Sequence, residues 1–183
     1  FYGNRGDEVL DESARQGSGF LASGCGEWEA AATPARDAGI RVEHPRIGVV
    51  LAAEGGALAK MKVPFLLRVG GGGGDGSQYM SWITLEDLVS ALLFALKCDE
   101  LEGPVNFVSP TPVTNADFTA ALARVLKRPA VLPVPRFALR LAAGSDMADE
   151  MLIGGSRVAP AALHQHGFAW EHSSLEPALR SVL

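Results

Sequence analysis

The chain has 183 residues, of which 48% are hydrophobic and 20% charged, and its formal net charge is −5. These values predict a compact globular protein and exclude a disordered one. The acidic surplus argues against nucleic acid as a partner, since no basic excess is available to neutralise phosphates. No uncharged apolar stretch approaches the roughly 18 residues of a membrane helix, so we expect no membrane partner.

Two further features concern the cellular setting. Cys25 and Cys98 are the two cysteines, and neither has a Cys or His neighbour at zinc-ligand spacing, which favours a reducing cytoplasm. The first residues, Phe1 to Glu8, contain no initiating Met and no signal pattern. We therefore expect the sequence to start at an internal position of a longer protein.

The first half of the chain alternates helical and extended patterns. A helical face is predicted by the spacing of Leu21, Cys25, Trp28 and Ala32. An apolar run rich in β-branched residues, 40–51, predicts a strand covered on both faces, with Pro45 at its start or at a bulge. A short helix over 57–67, disturbed by Pro64, and a short strand over 78–83 follow.

The second half continues the alternation. Thr84 with Asp87, and Thr114 with Asp117, resemble capping boxes that open two helices on either side of a strand at 103–108. Shorter elements follow: an extended segment at 131–134, helices at 137–143 and 146–153, and a last helix opened by Ser173 with Glu176. This order predicts an α/β fold with parallel strands and a small mixed segment at the C-terminal end.

Motifs that could carry chemistry have structural interpretations. Gly71, Gly73 and Gly76 satisfy G-x-G-x-x-G, but an extended segment follows where a dinucleotide loop needs a helix, so a surface loop is favoured over ligand contact. Surface or hydrogen-bonded histidines are favoured over a metal site for His44, His164, His166 and His172. Glu29 and Asp87 are interpreted as structural residues of their helices. A solvated helix face is favoured over a catalytic pair for Asp146, Asp149 and Glu150.

Several blocks taken together resemble a known family. They are Phe1-Tyr2-Gly3, the stretches 28–32, 46–51, 55–61 and 80–83, and further downstream 103–106, 114–118 and 132–135. Their order resembles the NAD(P)-dependent epimerase/dehydratase-like branch of the extended short-chain dehydrogenases, specifically epimerase-family proteins with a C-terminal domain of unknown function. The resemblance covers essentially the whole chain.

The resemblance implies a partial Rossmann-like parallel sheet, with residues 1–128 forming the C-terminal part of a cofactor and substrate domain and 129–183 a small domain of unknown function. The family's phosphate-binding half would precede Phe1. NADP or NAD is the implied cofactor. Its nicotinamide end would lie against Arg46, Ile47, Gly48, Val49 and Val50, with buried-strand packing an equal alternative.

The resemblance also bears on catalysis and substrate. Leu21 and Cys25 stand where the superfamily has its Tyr-x-x-x-Lys pair, so the catalytic residues stay unknown. Met80 stands where nucleotide-sugar epimerases present an Arg to the diphosphate, which argues against a nucleotide sugar. A smaller or less charged pocket, or plain packing, would involve Gln78, Tyr79, Ser81 and Trp82.

Two functions follow from this sequence. The first is the substrate-side portion of an NAD(P)-binding epimerase-like enzyme acting on a small molecule. The second is a non-catalytic nucleotide-binding or regulatory protein that keeps the fold. In both, we expect the chain alone to be marginally stable, and its exposed strand edges to favour association into a homo-oligomer.

Overall fold

The computed structural model describes residues 1–66, 75–128 and 155–183. The described helices are α1 (Phe20–Ala31), α2 (Thr33–Asp37), α3 (Gly56–Leu66), α4 (Leu85–Lys97), α5 (Asn115–Leu126), α6 (Ala161–Gln165) and α7 (Leu175–Val182). The described strands are β1 (Val9–Leu10), β2 (Glu43–Ile47), β3 (Val49–Leu51), β4 (Tyr79–Met80), β5 (Trp82–Thr84), β6 (Gly103–Phe107), β7 (Val113–Thr114) and β8 (Arg157–Val158). No helix in these three segments is long and apolar enough to span a membrane.

Parallel strand pairs dominate the fold. β2 pairs with β6, from Glu43 opposite Gly103 to Ile47 opposite Phe107, and β3 pairs with β5. β1 and β8 form a further parallel pair, although one lies near each end of the chain. Only β4 and β7 among the described strands run antiparallel. The predicted α/β fold with a partial Rossmann-like parallel sheet is therefore confirmed.

The single strand predicted over 40–51 is divided in the structure at Gly48. The Gly48 amide donates to the carbonyl of Phe107 at 3.1 Å, whereas the next amide, of Val49, donates to the carbonyl of Ser81 at 2.8 Å. The chain thus changes neighbour from β6 to β5 within one residue. A Cβ at Gly48 would lie 2.7 Å from the Ser81 carbonyl oxygen, so this crossing requires glycine.

Pro45 lies within β2, which corrects the prediction that it starts the strand or forms a bulge. The carbonyl of Val42 and the amide of Gly48 bond to β6. Since hydrogen-bonding groups alternate between the edges of a strand, Pro45 faces the opposite edge, where its missing amide breaks no bond to β6. No described strand pairs with that outer edge.

The strand predicted over 40–51 was also expected to be buried on both faces, and in the structure this burial is incomplete. Leu51 is fully buried, but Ile47 is 49% exposed and Val49 and Val50 are only partly buried. On α1, which confirms the first predicted helix, Trp28 is 83% exposed. Val49 and Val50 still pack against the two main apolar clusters, whereas Ile47 and Trp28 remain largely uncovered by the described residues.

The described C-terminal segment, residues 155–183, shares its hydrophobic core with the earlier helices and strands. One cluster places Leu179 of α7 with Trp82 and Leu122, and a second places Leu163 of α6 with Ile83 and Phe107. Residues 155–183 are thus packed into the same apolar interior as the described residues of 1–66 and 75–128. The domain boundary predicted at 128/129 lies beside residues outside the described part and stays a prediction.

Helix starts test the capping predictions. The hydroxyl oxygens of Thr84 and Thr114 each accept from the amide three residues on, at 3.1 Å, which confirms both caps. The predicted Ser173 cap is wrong: α7 is preceded by Ser174, which makes no side-chain capping bond. Glu176 cannot complete such a box because its carboxylate binds the Arg124 and Arg180 side chains.

Other predicted elements have mixed outcomes. The helix over 57–67 is confirmed as α3, which includes Pro64, and the strand over 78–83 is divided into β4 and β5. The strand over 103–108 is confirmed as β6. The elements predicted at 131–134, 137–143 and 146–153, together with Gly71 and Gly73, lie outside the described residues.

Candidate functional site

A buried polar network lies beside the end of β2. The Arg46 guanidinium donates through Nε and Nη2 to both carboxylate oxygens of Glu29 on α1, at 2.7 and 2.9 Å. Its Nη1 donates to the hydroxyl of Tyr2 at 2.9 Å. The guanidinium carbon also lies 3.4 Å from the ring centroid of Phe1, a cation–π contact. Arg46 thus fixes the N-terminal segment and α1 to β2.

The network continues from Tyr2 into β6. The Tyr2 hydroxyl donates to Oδ1 of Asn106 at 2.7 Å, and Nδ2 of Asn106 donates to the carbonyl of Ala159 at 2.9 Å. The Asn106 amide donates to Oε1 of Glu12 at 3.0 Å, and the same oxygen accepts from the Ala162 amide at 3.2 Å. The polar groups of Asn106, which is fully buried, are therefore satisfied.

The charge states of this network follow from burial and hydrogen bonding. Burial raises the pKa of the Tyr2 phenol, and the hydrogen bond and charge of Arg46 offset only part of that increase. Burial alone would lower the pKa of Arg46, but its bonds to Glu29 and Tyr2 outweigh burial and the pKa is raised. Near neutral pH, Arg46 is therefore a cation and Tyr2 a neutral phenol.

The residues predicted to hold the cofactor span the end of β2 and the start of β3, with Gly48 between them. The side chain of Arg46 is committed to Glu29 and Tyr2, which leaves its backbone for any ligand contact. Ile47 is half-exposed, Gly48 crosses between neighbouring strands, and Val49 and Val50 are partly buried. The assignment stays a prediction, and the geometry limits it to backbone and apolar contacts.

The residues predicted to meet a substrate fall into two groups. Gln78 and Tyr79 are partly buried, and the guanidinium of Arg157 lies 5.1 Å from the Tyr79 ring. Trp82 is fully buried and its indole donates to the Thr111 carbonyl at 3.0 Å. Ser81 is buried as well. The surfaces available to a ligand are therefore those of Gln78 and Tyr79.

The hydroxyl of Ser81 is used inside the protein. It accepts from the amide of Val158 in β8 at 2.9 Å and donates to the carbonyl of Ser156 at 2.8 Å. These bonds attach the described C-terminal segment to the residue that joins β4 to β5. In this structure Ser81 is therefore a packing residue of that junction.

The catalytic pair of the superfamily has no counterpart on α1. Leu21, which is 44% exposed, and Cys25, which is partly buried, lie one turn apart. One turn further on, the carboxylate of Glu29 is engaged by Arg46. Neither an alkyl group nor a thiol can act as a phenol held beside an ammonium group.

Sequence reasoning missed Tyr2, Asn106 and Glu12 as members of a network. One signal was available: Asn106 is a polar residue between the apolar Val105 and Phe107 of a predicted strand. A buried amide needs partners, so its position indicated a polar contact but not which residues provide it. Those partners are distant in sequence.

Comparison with known proteins shows which family this chain is similar to. A domain of unknown function, DUF1731, matches residues 134–182. An epimerase family protein of Mycobacterium leprae is 50% identical over 179 residues, which cover 98% of this chain and 58% of the relative. Over nearly its whole length, the chain is similar to the NAD(P)-dependent epimerase-like family of short-chain dehydrogenases. The predicted family resemblance is thus confirmed, and the chain spans somewhat over half the length of such relatives.

Solved structures of this epimerase-like family have the same fold. The human epimerase family protein SDR39U1 (isoform 2), crystallised with NADPH, is 31% identical with a TM-score of 0.90, covering 99% of this chain and 61% of the human one. A nucleoside-diphosphate sugar epimerase of Corynebacterium glutamicum is 37% identical with a TM-score of 0.81, covering 100% of this chain and 35% of that one. A Thermus thermophilus UDP-glucose 4-epimerase in complex with NAD, 20% identical with a TM-score of 0.70, shows likeness of fold alone.

Proposed function

We propose that this chain forms the substrate-side portion of an NAD(P)-binding epimerase-like protein that acts on a small molecule. The observation that carries the proposal is the similarity to the human family member crystallised with NADPH, which extends over 99% of this chain. NADP and NAD are both candidate nucleotides. Cofactor binding by this chain is therefore the first property to test.

The residues present fit one end of such a nucleotide. The half-exposed Ile47 and the partly buried Val49 flank Gly48, and this strand end offers apolar surface and backbone groups suited to a nicotinamide ring. The Arg46 guanidinium is fully engaged, so we propose that phosphate groups are held by residues outside this chain. A bound nicotinamide would supply hydride chemistry.

The chain's own residues have two roles in this proposal. Arg46 positions the strand end, because its bonds to Glu29 and Tyr2 fix β2 against α1 and the N-terminal segment. Gln78 and Tyr79 contact a substrate of low charge, since Met80 supplies no charge-assisted bonds to a diphosphate. Positioning by packed neighbours is what gives a binding site its defined geometry.

A chimera tests the proposal. The part of the Mycobacterium leprae relative outside its match to this chain, which the family resemblance places ahead of Phe1, is fused to the 183-residue chain. NADPH and NADH are then titrated while tryptophan fluorescence is recorded, with the unfused chain as the control. We expect saturable binding to the chimera and at least about tenfold weaker binding to the control, because the phosphate contacts are missing. A folded chimera that binds neither nucleotide would refute the proposal.

A second function, nucleotide binding without turnover, is favoured by the residues on α1. Leu21 and Cys25 leave the fold without the superfamily's acid/base pair. The same chimera separates the two functions when NADPH oxidation is followed with a panel of small carbonyl compounds. Turnover with any compound supports an enzyme. Saturable binding without turnover across the panel supports the non-catalytic function.

A further inference from the structure

His172 has a buried ring nitrogen without a hydrogen-bond partner among the described residues. Its Nδ1 is inaccessible to solvent, and the side chain is 11% exposed. The nearest carboxylate oxygens are Oδ2 of Asp87 at 3.7 Å and Oε2 of Glu86 at 3.9 Å, both beyond hydrogen-bonding distance. Buried polar atoms normally have a partner, and a bound ion would supply one to this nitrogen.

The main chain that carries His172 is held in place by Asp87. The Asp87 side chain is buried, and its two carboxylate oxygens accept the amides of Glu171 and His172 at 2.8 and 3.0 Å. Asp87 also accepts from the hydroxyl of Thr84 at 3.0 Å, within the cap of α4. The segment before α7 is therefore bonded to the start of α4, and the backbone of His172 is fixed independently of its side chain.

Three potential metal ligands meet at this junction. One donor atom each of Glu86, Glu171 and His172 lies within 4.8 Å of the others. Donors around a tetrahedral Zn²⁺ lie roughly 3.3 Å apart, given bonds of about 2.0–2.2 Å. The side chains of Glu86 and Glu171 are both exposed and can change rotamer, whereas the imidazole of His172 is only 11% exposed. We take Nδ1 of His172 as its donor, because this nitrogen has no hydrogen-bond partner among the described residues.

We propose that Glu86, Glu171 and His172 form a binding site for a divalent transition-metal ion of the Zn²⁺ type. One imidazole and two carboxylates suit such an ion better than Mg²⁺ or Ca²⁺, which prefer oxygen donors alone. Asp87 is the outer partner that places two of the ligands. Three protein ligands leave a coordination position open.

The position of the site suggests what the ion does. Glu86 lies on the wall of a cavity of about 220 Å³ between the end of β3, the start of α4 and the end of α7. An ion held by Glu86 and by the 171–172 segment links α4 to the chain leading into α7. The ion would therefore hold the described C-terminal segment against α4, and its site is separate from the Arg46 network and independent of the proposed nucleotide.

Metal binding is measured on the 183-residue chain after treatment with a chelator. Zn²⁺ is titrated by calorimetry, with Mg²⁺ as the comparison ion. We expect one equivalent of Zn²⁺ to bind and to raise the unfolding temperature, because an ion that binds only the folded state stabilises it. His172→Gln and Glu171→Gln should each weaken binding at least about tenfold, the smallest loss expected even for an outer-shell partner.

Matched substitutions distinguish this site from general metal affinity. His164→Gln and Glu54→Gln alter exposed residues of the same types and should leave Zn²⁺ affinity unchanged. The backbone amide of His172 still bonds to Asp87 in His172→Gln, so circular dichroism should report the native fold. Co²⁺ in place of Zn²⁺ should give weak visible bands without thiolate charge transfer, which excludes Cys25 and Cys98 as ligands.

Three results would overturn the proposal. The first is no Zn²⁺ binding by the folded chain. The second is equal affinity in the wild type and His172→Gln, which would show that the His172 ring is not a metal ligand. The third is a thiolate band with Co²⁺.

Discussion

The phenol of Tyr2 donates a hydrogen bond of 2.7 Å to Oδ1 of Asn106, a residue 104 positions further along the chain. Both side chains are buried, at 5% and 0% exposure. A hydrogen bond in such a low-dielectric interior is costly to break because the abandoned group cannot turn to water. The N-terminal segment is therefore fixed to the central strand β6.

The first prediction concerns the pH dependence of this bond. Burial raises the pKa of Tyr2, so the unfolded chain loses the phenol proton first, near pH ~10. A raised folded-state pKa contributes stability that is complete below that pH and is lost as pH rises through the folded value. Urea unfolding at about pH 8 and about pH 11 should show a steeper decline in stability for wild type than for Tyr2→Phe. Parallel declines would contradict this.

Arg46→Lys tests the bidentate contact with Glu29. Lysine keeps the charge but cannot match both carboxylate oxygens and the Tyr2 hydroxyl, so we expect a loss of about 1–3 kcal/mol in the free energy of unfolding. Arg36→Lys on the exposed surface of α2 is the control and should change stability by less than about 0.5 kcal/mol. Equal effects in urea unfolding would show that the network adds nothing.

Gly48→Ala tests the crossing between β6 and β5. The new methyl group would lie 2.7 Å from the Ser81 carbonyl oxygen and 2.8 Å from Cγ1 of Val108, so the strands must separate at a cost of about 1–3 kcal/mol. Gly24→Ala on α1 meets no atom within 4 Å and should stabilise the helix by about 0.5–1 kcal/mol. Thermal unfolding of the two variants should therefore shift in opposite directions.

The outer edge of β2 provides a prediction from hydrogen exchange. The alternation of bonds to β6 directs the amides of Glu43 and Ile47 to the edge that no described strand occupies. In the isolated chain these amides should exchange rapidly, while the Gly48 amide, bonded to Phe107, is protected. In the chimera Glu43 and Ile47 should gain protection if the added part supplies a strand. Unchanged exchange would argue against that completion of the sheet.

Local patterns predicted local structure correctly. The Thr-x-x-Asp sequences before α4 and α5 contain both members of each cap within four residues, so no distant contact is needed to form them. The change of neighbour at Gly48 differs, because it depends on the Ser81 carbonyl approaching from another element. The Ser173 prediction failed for a related reason, since Arg124 competes for Glu176 from outside the helix.

The candidate site was predictable only in part. Family resemblance indicated Arg46 and the strand end that follows, but the partners of its guanidinium belong to α1 and to the N-terminal segment. The cluster around His172 was missed because spacing rules look for ligands near one another in sequence. Its other ligands come from Glu86 and from Glu171, and only folding brings the start of α4 to them.

One oxygen of Glu12 receives amides from β6 and from α6, and β1 pairs with β8. Residues 155–182, the described part of the segment matched by DUF1731, are for that reason an integral part of the fold. Deleting residues 155–183 would remove the Ala162 amide from the Glu12 carboxylate and expose Leu10. It would also remove residues from both main apolar clusters. A gene product shortened at that point would be expected to accumulate as insoluble material.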